Sequence, residues 1–495
     1  MSRINTNVPA LQAINRLGRN NLDLSIRLER LGTGLRINRG SDDPAGLIAS
    51  ETLRAEINGI RQAISNSSRG INVISTAEGA LNEVSALLLD LRALLVSTAN
   101  EGGLTGEEVD ANQLEIDALL ASVDRIANTT TFGGLRLLDG TRDYTTSSID
   151  TTDLASVKLF AARVPENATR NILVQLTISA ETGNVSFAGA FAGTAQGAGV
   201  GSFTSATTIE IAGTIGSEVL SFASGTTLTS LRDAINDVKL TTGVTAVVST
   251  TAAVAGIAAT SSLVINSTAY GSAEFVTIKP ISGNFVENGN NGTINKDFGV
   301  DAGVVINGQT AASKGLRVDL NSNGLDLRLY LTETFGNGSD ATTTTSFQVT
   351  GGGSIFQVTS KVTPLGQINI GIGSVSSANL GNNVVGFLST IGSGGTNEVR
   401  KKNFIVAQDI ISEAINQVAV LRGRLGSLQK NQFETNIRSQ QVALENVTAA
   451  ESSIRDADMA AEVAALTRAQ ILVQSTQATL QIATNAPTAI LALLG

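Results

Sequence analysis

Cysteine, histidine and tryptophan are absent from all 495 residues. Without thiol or imidazole there is no cysteine nucleophile, no Ser-His-Asp arrangement and no thiolate or imidazole metal ligand. No disulfide can form. An exported chain of this kind can travel unfolded without being trapped by a crosslink. Carboxylate or lysine catalysis has no supporting residue cluster, so neither an enzyme nor a cofactor is expected. Basic residues are outnumbered 34 to 43, giving a net charge of −9, and no segment is basic enough to suggest nucleic acid. There is no apolar run of roughly 20 residues to span a bilayer. The opening MSRINTNVPALQAINRLGRN has no apolar core or small-residue cleavage site, so neither a secretory signal nor membrane insertion is expected.

Proline is scarce. Its six positions (9, 44, 165, 280, 364 and 487) leave 45–164 and 365–486 free for long helices. Aromatics are missing before Phe132 and after Phe433, so the terminal cores are aliphatic. Glycine concentrates elsewhere: 33 of its 50 positions lie between Gly183 and Gly395, in text rich in Thr, Ser and Val.

The ends carry helical stripes. Asn7, Ala10, Ile14, Leu17, Asn21, Leu24, Leu28, Leu31 and Leu35 recur at spacings of three and four, as do Met459, Val463, Leu466, Gln470, Val473, Gln477 and Leu480. Each stripe must bury against another helix. Sited at the termini, with no partner evident within a compact domain, they suggest a subunit that polymerises through its ends. Asp43-Pro44 is a helix start. From there Leu53, Ile57, Ile60, Ile64, Ile71, Ile74, Leu81, Leu88 and Leu95 mark one face to about Asn100, and Glu101-Gly102-Gly103 breaks it. A second helix is expected over about 106–128, then a hairpin in TTTFGGLRLLDG, and a long helix over about 397–450. In the middle, strands are expected at Thr208–Ala212, Val219–Phe222, Val244–Val248, Leu263–Ile265, Phe275–Ile278, Leu316–Leu320, Leu325–Leu331 and Phe356–Val362. A short helix capped by Thr229 or Ser230 completes a β-β-α-β unit, and NSNG at 321–324 is a hairpin turn. Arg36 and Arg39 could pair with Asp42 or Asp43, or cross to another subunit. Asn167, Asn266 and Asn337 lie in Asn-x-Ser/Thr sequons.

Three segments carry a family resemblance. ERLGTGLRINRGSDDPAGLIAS at 29–50 and TAEGALNE at 76–83 resemble the N-terminal signature of bacterial flagellins, and SIRDADMAAEVAALTRAQIL at 453–472 resembles the C-terminal one. The fold expected is α+β and multidomain: long terminal α-helices forming coiled-coil or helical-bundle domains, with an inserted β-rich central domain. The expected parts are an inner-tube helix at 1–43, helical core at 44–178, variable outer domain at 179–395, helical core at 396–452 and a second inner-tube helix at 453–495. The resemblance implies a structural subunit of the extracellular flagellar filament, exported through the flagellar type III system. Implied partners are identical subunits, an export chaperone, and junction and cap proteins. Inter-subunit contacts are expected at Ile14, Leu17, Leu24, Leu28, Leu31, Leu35, Met459, Val463, Leu466, Val473 and Leu480. The resemblance also implies a host Toll-like receptor surface at Asp90, Arg92, Leu94 and Glu115. Recognition is expected to be weak, because Asp90 and Ala93 stand where activators of the family carry Arg and Glu. Rival readings are a hook–filament junction protein, which LTRAQIL at 466–472 disfavours, and an adhesin carried on the central domain. An inserted zinc peptidase would need histidine.

Overall fold

The computed structural model describes residues 6–494 except 163, 165–168, 189–202, 204, 252–259, 284–285, 288–289, 292–294, 323 and 339–342. Asn167 lies outside the described residues, as does Asn323 of the expected NSNG turn. The fold is α+β, with helices at both ends and β-rich structure between them. The described residues divide into two compact units. One contains 1–72, 356–367 and 427–495; the other contains 73–355 and 368–426.

Among the described residues, the α-helices longer than four residues are α1 (Val8–Thr33), α2 (Pro44–Thr98), α3 (Gly106–Thr129), α4 (Leu228–Asp237), α5 (Phe404–Leu428), α6 (Glu434–Arg455) and α7 (Met459–Leu494). α2 starts where expected, because the Asp43 carboxylate accepts from the Gly46 N–H at 2.9 Å. Its expected face is the buried one: Ile57, Ile60, Ile74, Leu81, Leu88 and Leu95 are all buried. α3 starts with a capping box. The Glu108 N–H donates to Thr105 Oγ1, and the Thr105 N–H donates to Glu108 Oε2 at 2.7 Å. The expected hairpin follows, pairing Thr131–Phe132 with Leu135–Arg136. Gly133 and Gly134 take φ of 59° and 82°, which a tight two-residue turn needs.

In the unit containing 73–355, two sheets enclose a first core. One runs in the order Gln309–Thr310, Gly303–Ile306, Arg170–Ile178, Thr344–Gly352, Tyr144–Ser147. The other runs Ala312–Lys314, Arg317–Ser322, Leu325–Leu331, Leu154–Ala162. Alternation decides which side chains enter it: Leu325, Leu327, Leu329 and Leu331 are buried and the residues between them are not. A second core gathers Ile209, Ile211, Leu263, Ile265, Val276 and Ile278 around Leu228, Leu231 and Ile235 of α4. The β-β-α-β unit is therefore present: Thr207–Ala212, Ser217–Phe222, α4 and Val244–Thr251.

Several local expectations are corrected. Thr227, not Thr229 or Ser230, caps α4, with its hydroxyl accepting from the Ser230 N–H. The strand expected over Phe356–Val362 stops at Gln357, where side-chain bonds fold the chain into a loop. α5 begins at Phe404 rather than 397, because Lys402 takes a left-handed φ of 61°. Arg36 donates to the Ile454 carbonyl and the Arg39 guanidinium pairs with Glu29; Asp42 is met by Arg39 only through the backbone, its carboxylate accepting from the Arg39 N–H at 2.9 Å. By length and composition alone, Phe404–Arg455 includes a window apolar enough to cross a membrane, with mean hydropathy 1.4, where none was expected. Ala407, Ile410, Ile411, Ala414 and Val418 of that run are buried, and 28% of the window is buried in all.

Between α5 and α6, Gln429–Phe433 forms a π-turn that inserts the Phe433 ring, fully buried, toward α2. A Cβ on Gly70 would lie 2.5 Å from that ring, so the helix surface must be bare there. Gly79, by contrast, has nothing within 4 Å of a Cβ. Gly70→Ala should destabilise the monomer by about 1–3 kcal/mol through overpacking. Gly79→Ala should leave it unchanged or stabilise it by up to about 1 kcal/mol. Urea unfolding of the two variants checks the contrast.

Candidate assembly interface

α1 ends at Gly34, whose φ of 75° needs no Cβ. α7 begins after Asp458, whose carboxylate accepts from the Ala460 and Ala461 N–H groups. These two helix ends are stitched together. The Arg36 N–H donates to the Arg455 carbonyl at 2.7 Å and the Ala457 N–H donates to the Gly34 carbonyl at 2.9 Å. From that junction α1 and α7 run antiparallel and pack on each other. The sequence reading looked to neighbouring subunits for the partner of each stripe. The structure supplies one within the chain.

The seam on α7 is Glu462, Leu466, Ala469, Val473, Thr476, Leu480 and Ala483, all buried or half-buried at alternating spacings of four and three. On α1 it is Asn7, Ala10, Ala13, Leu17, Asn20, Leu24, Arg27 and Leu31. Polar contacts set the register. Arg27 Nη1 lies 3.1 and 3.0 Å from the two Glu462 oxygens, and Arg30 Nη1 lies 3.1 Å from Oε1. Asn20 Nδ2 reaches the Leu472 carbonyl and Thr476 Oγ1, and Asn7 Nδ2 reaches the Ala483 carbonyl at 2.7 Å. Alanines 13 and 469, both buried, admit the close approach.

Three alternate members of each expected stripe are displaced by one residue. Ala13, Asn20 and Arg27 occupy the seam where Ile14, Asn21 and Leu28 were expected. Glu462, Ala469 and Thr476 occupy it where Val463, Gln470 and Gln477 were expected. Ile14, Leu28, Met459 and Val463 are each about half exposed, at 52%, 52%, 48% and 51%. Leu17, Leu24, Leu31, Leu35, Leu466 and Leu480 are half-buried and Val473 is buried. Val8, Leu11, Leu22, Ile471, Leu472 and Ile482 add to the exposed apolar face. Sequence reasoning missed Glu462, Arg27 and Arg30 because the stripes were traced through mostly apolar residues. Their 3/4 spacing from the leucines was the available signal. On the other unit, Asp90, Arg92 and Glu115 are exposed and Leu94 is half-buried.

A cavity of about 490 Å³ in the unit containing 73–355 is lined by Asp143, Lys158, Arg328 and Glu413 among others. Burial pushes the Asp143 carboxyl up and the Lys158 ammonium down. Cations and anions face one another there without a nucleophile–base pair. Among the described residues no group of three or more His, Cys, Asp or Glu side chains could hold a metal.

Burial pushes the Glu462 carboxyl up, but hydrogen bonds from Arg27 and Arg30 and their charges outweigh it. The net effect holds the group below its ordinary 4.5. A depressed carboxylate stabilises the fold above the unfolded value, and that stability is lost as pH falls through the lower, folded value. Amide protection factors in α1 and α7, corrected for the intrinsic exchange rate at each pH, should therefore fall as pH drops below 4.5. Glu462→Gln should weaken the pair at neutral pH by about 1–3 kcal/mol and flatten that acid dependence.

The family description "Bacterial flagellin N-terminal helical region" matches residues 4–143, and "Bacterial flagellin C-terminal helical region" matches 408–494. "Flagellin hook IN motif" matches 208–269, the segment of the β-β-α-β unit. A flagellin of Bacillus subtilis is 42% identical over 175 residues, covering 35% of this chain and 56% of that protein. The match thus spans about half the length of that relative; for flagellins of Clostridium tyrobutyricum and Halalkalibacterium halodurans the share is 37% and 65%. Flagellin A of Helicobacter pylori is 28% identical over 96% of both chains, and B-type flagellin of Pseudomonas aeruginosa is 28% identical over 99% of both. The hook-associated protein-3 structure from Legionella pneumophila is 14% identical and covers 82% of this chain and 98% of its own, at a TM-score of 0.29, too low to carry an argument. With the two helical-region descriptions bracketing the third in order along the sequence, the chain belongs to the bacterial flagellin family.

Proposed function

We propose that this chain is a non-enzymatic structural subunit that polymerises into the bacterial flagellar filament used for swimming. The observation that carries the reading is the α1–α7 pair. Its seam is already filled within the chain, yet Ile14, Leu28, Met459 and Val463 leave a second apolar face exposed. Exposed aliphatic side chains in this number are costly in water and gain about 25 cal/mol per Å² when a neighbour covers them. In this reading 1–43 and 453–495 build the inner tube, 44–178 and 396–452 the surrounding helical core, and 179–395 projects outward. The filament is extracellular and its subunits leave through the flagellar type III system, with an export chaperone, junction proteins and a tip cap as partners.

Deleting 1–40 or 455–495 removes one half of the pair. Either truncation should give protein that stays in the supernatant on ultracentrifugation while the full chain pellets as filaments. Filaments of normal yield from a truncated chain would defeat the reading.

Recognition by the flagellin-sensing Toll-like receptor is proposed to be weak, since the exposed Asp90 presents an acid where a cation would make a charge-assisted bond. Asp90→Arg with Ala93→Glu should raise potency of the monomer in a receptor reporter assay by about tenfold or more. Equal potency of the two proteins would reject this part.

A further inference from the structure

Residues 356–367 lie in the middle of the sequence yet belong to the unit of the terminal helices. Their stem is bolted down. The Phe356 ring meets Phe433 edge-on, with centroids 5.6 Å apart at 84°. Asn66 Nδ2 donates to the Gln357 carbonyl at 3.1 Å. Val358 is buried, and Ser360 approaches Gly59 so closely that a Cβ there would lie 2.9 Å away.

The loop beyond the stem is held from within. Gln357 Nε2 donates to Thr359 Oγ1 at 2.9 Å and to the Lys361 carbonyl at 2.7 Å. Thr359 Oγ1 also donates to the Lys361 carbonyl, and the Val358 N–H donates to the Gly366 carbonyl. Pro364 opens a short 3₁₀ turn whose Thr363 cap accepts from the Gly366 N–H. A tip fixed this way would lose little conformational entropy on docking.

What the tip displays is apolar. Residues 361–365 are all exposed, with Val362 at 82% and Leu365 at 80%. Val362 and Leu365 are the two most exposed large aliphatic side chains among the described residues, both on a loop whose internal bonds hold them in water. Lys361 is the tip's one charge, on a chain of net charge −9. A second copy therefore offers the complementary sign.

We propose that this tip is an inter-subunit knob: Val362 and Leu365 seat in an apolar site on a second copy of this chain, with Lys361 facing that copy's acidic surface. The proposal rests on the polymer reading, because an assembly is what holds a second copy against the tip in one geometry. It adds a contact outside the terminal helices.

The chain's lack of cysteine allows a clean test. Leu365→Cys in the full chain introduces a single thiol. Maleimide alkylation should be at least about tenfold slower in purified filaments than in monomer. The double variant Val362→Ser, Leu365→Ser should unfold at the same temperature as a monomer, since the loop's internal bonds are intact. Its critical concentration for seeded assembly should rise about tenfold, equivalent to about 1.4 kcal/mol. Normal filaments with an equally reactive thiol, or an unchanged critical concentration, would overturn the knob and leave the polymer reading standing. Protection on filaments sheared from cells but not on purified ones would assign the tip to another partner and overturn the second-copy assignment. A full chain that forms no filaments at all would fail the polymer reading first, and this proposal with it.

Discussion

Two guanidinium groups share one buried carboxylate near the stitched end of the α1–α7 pair, and the register of both helices follows from that contact. Sliding α7 by a turn would leave Glu462 buried without a cation, which costs several kcal/mol. Apolar seams alone specify register weakly, since Leu17, Leu24 and Leu31 on α1 and Leu466, Val473 and Leu480 on α7 repeat every seven residues. The Asn20 and Asn7 bonds to α7 carry the same register along the pair. Once it is fixed, Ile14, Leu28 and Val463 have no choice but to face outward. A charged contact inside the chain thereby sets the apolar surface available to other copies.

A similar economy governs the rest of the terminal-helix unit. Its two aromatic residues, Phe356 and Phe433, meet each other, and a bare glycine at 70 receives one of them. The π-turn at Gln429–Phe433 turns the ring inward without ending the helical run. The same cluster anchors the 356–367 loop. One local departure from α-helical geometry thus supports both the packing against α2 and the presentation of Val362 and Leu365.

The helical fold was legible because its signals are periodic and local. Asp43-Pro44, the Thr105–Glu108 box and the heptad face of α2 each depend on residues within a few turns of one another. Strands read less well where they end. Phe356–Val362 has the composition of a strand, but Gln357 competes for the backbone carbonyls and bends it into a loop. The intrachain seam between α1 and α7 was half legible. Leu17, Leu24, Leu31, Leu466 and Leu480 lie on the seam, whereas the alternate positions differ by one residue because hydrophobicity selects Ile14 and Leu28 over Ala13 and Arg27.

By itself, the sequence determined that both ends are helical, that their cores are aliphatic, that the middle is β-rich and that thiol and imidazole chemistry are absent. Composition and short-range spacing carry that information, and no tertiary contact alters it. Only the tertiary structure decided that α1 and α7 partner each other, which of two overlapping stripes forms the seam, that the middle has two separate cores, and that a mid-sequence loop joins the terminal helices. Those choices compare contacts between residues hundreds of positions apart. An α-helix of 3.6 residues per turn lets either of two adjacent seven-residue stripes face a partner. The winner is set by the partner's alanines and carboxylate, which a pattern read along one helix does not contain.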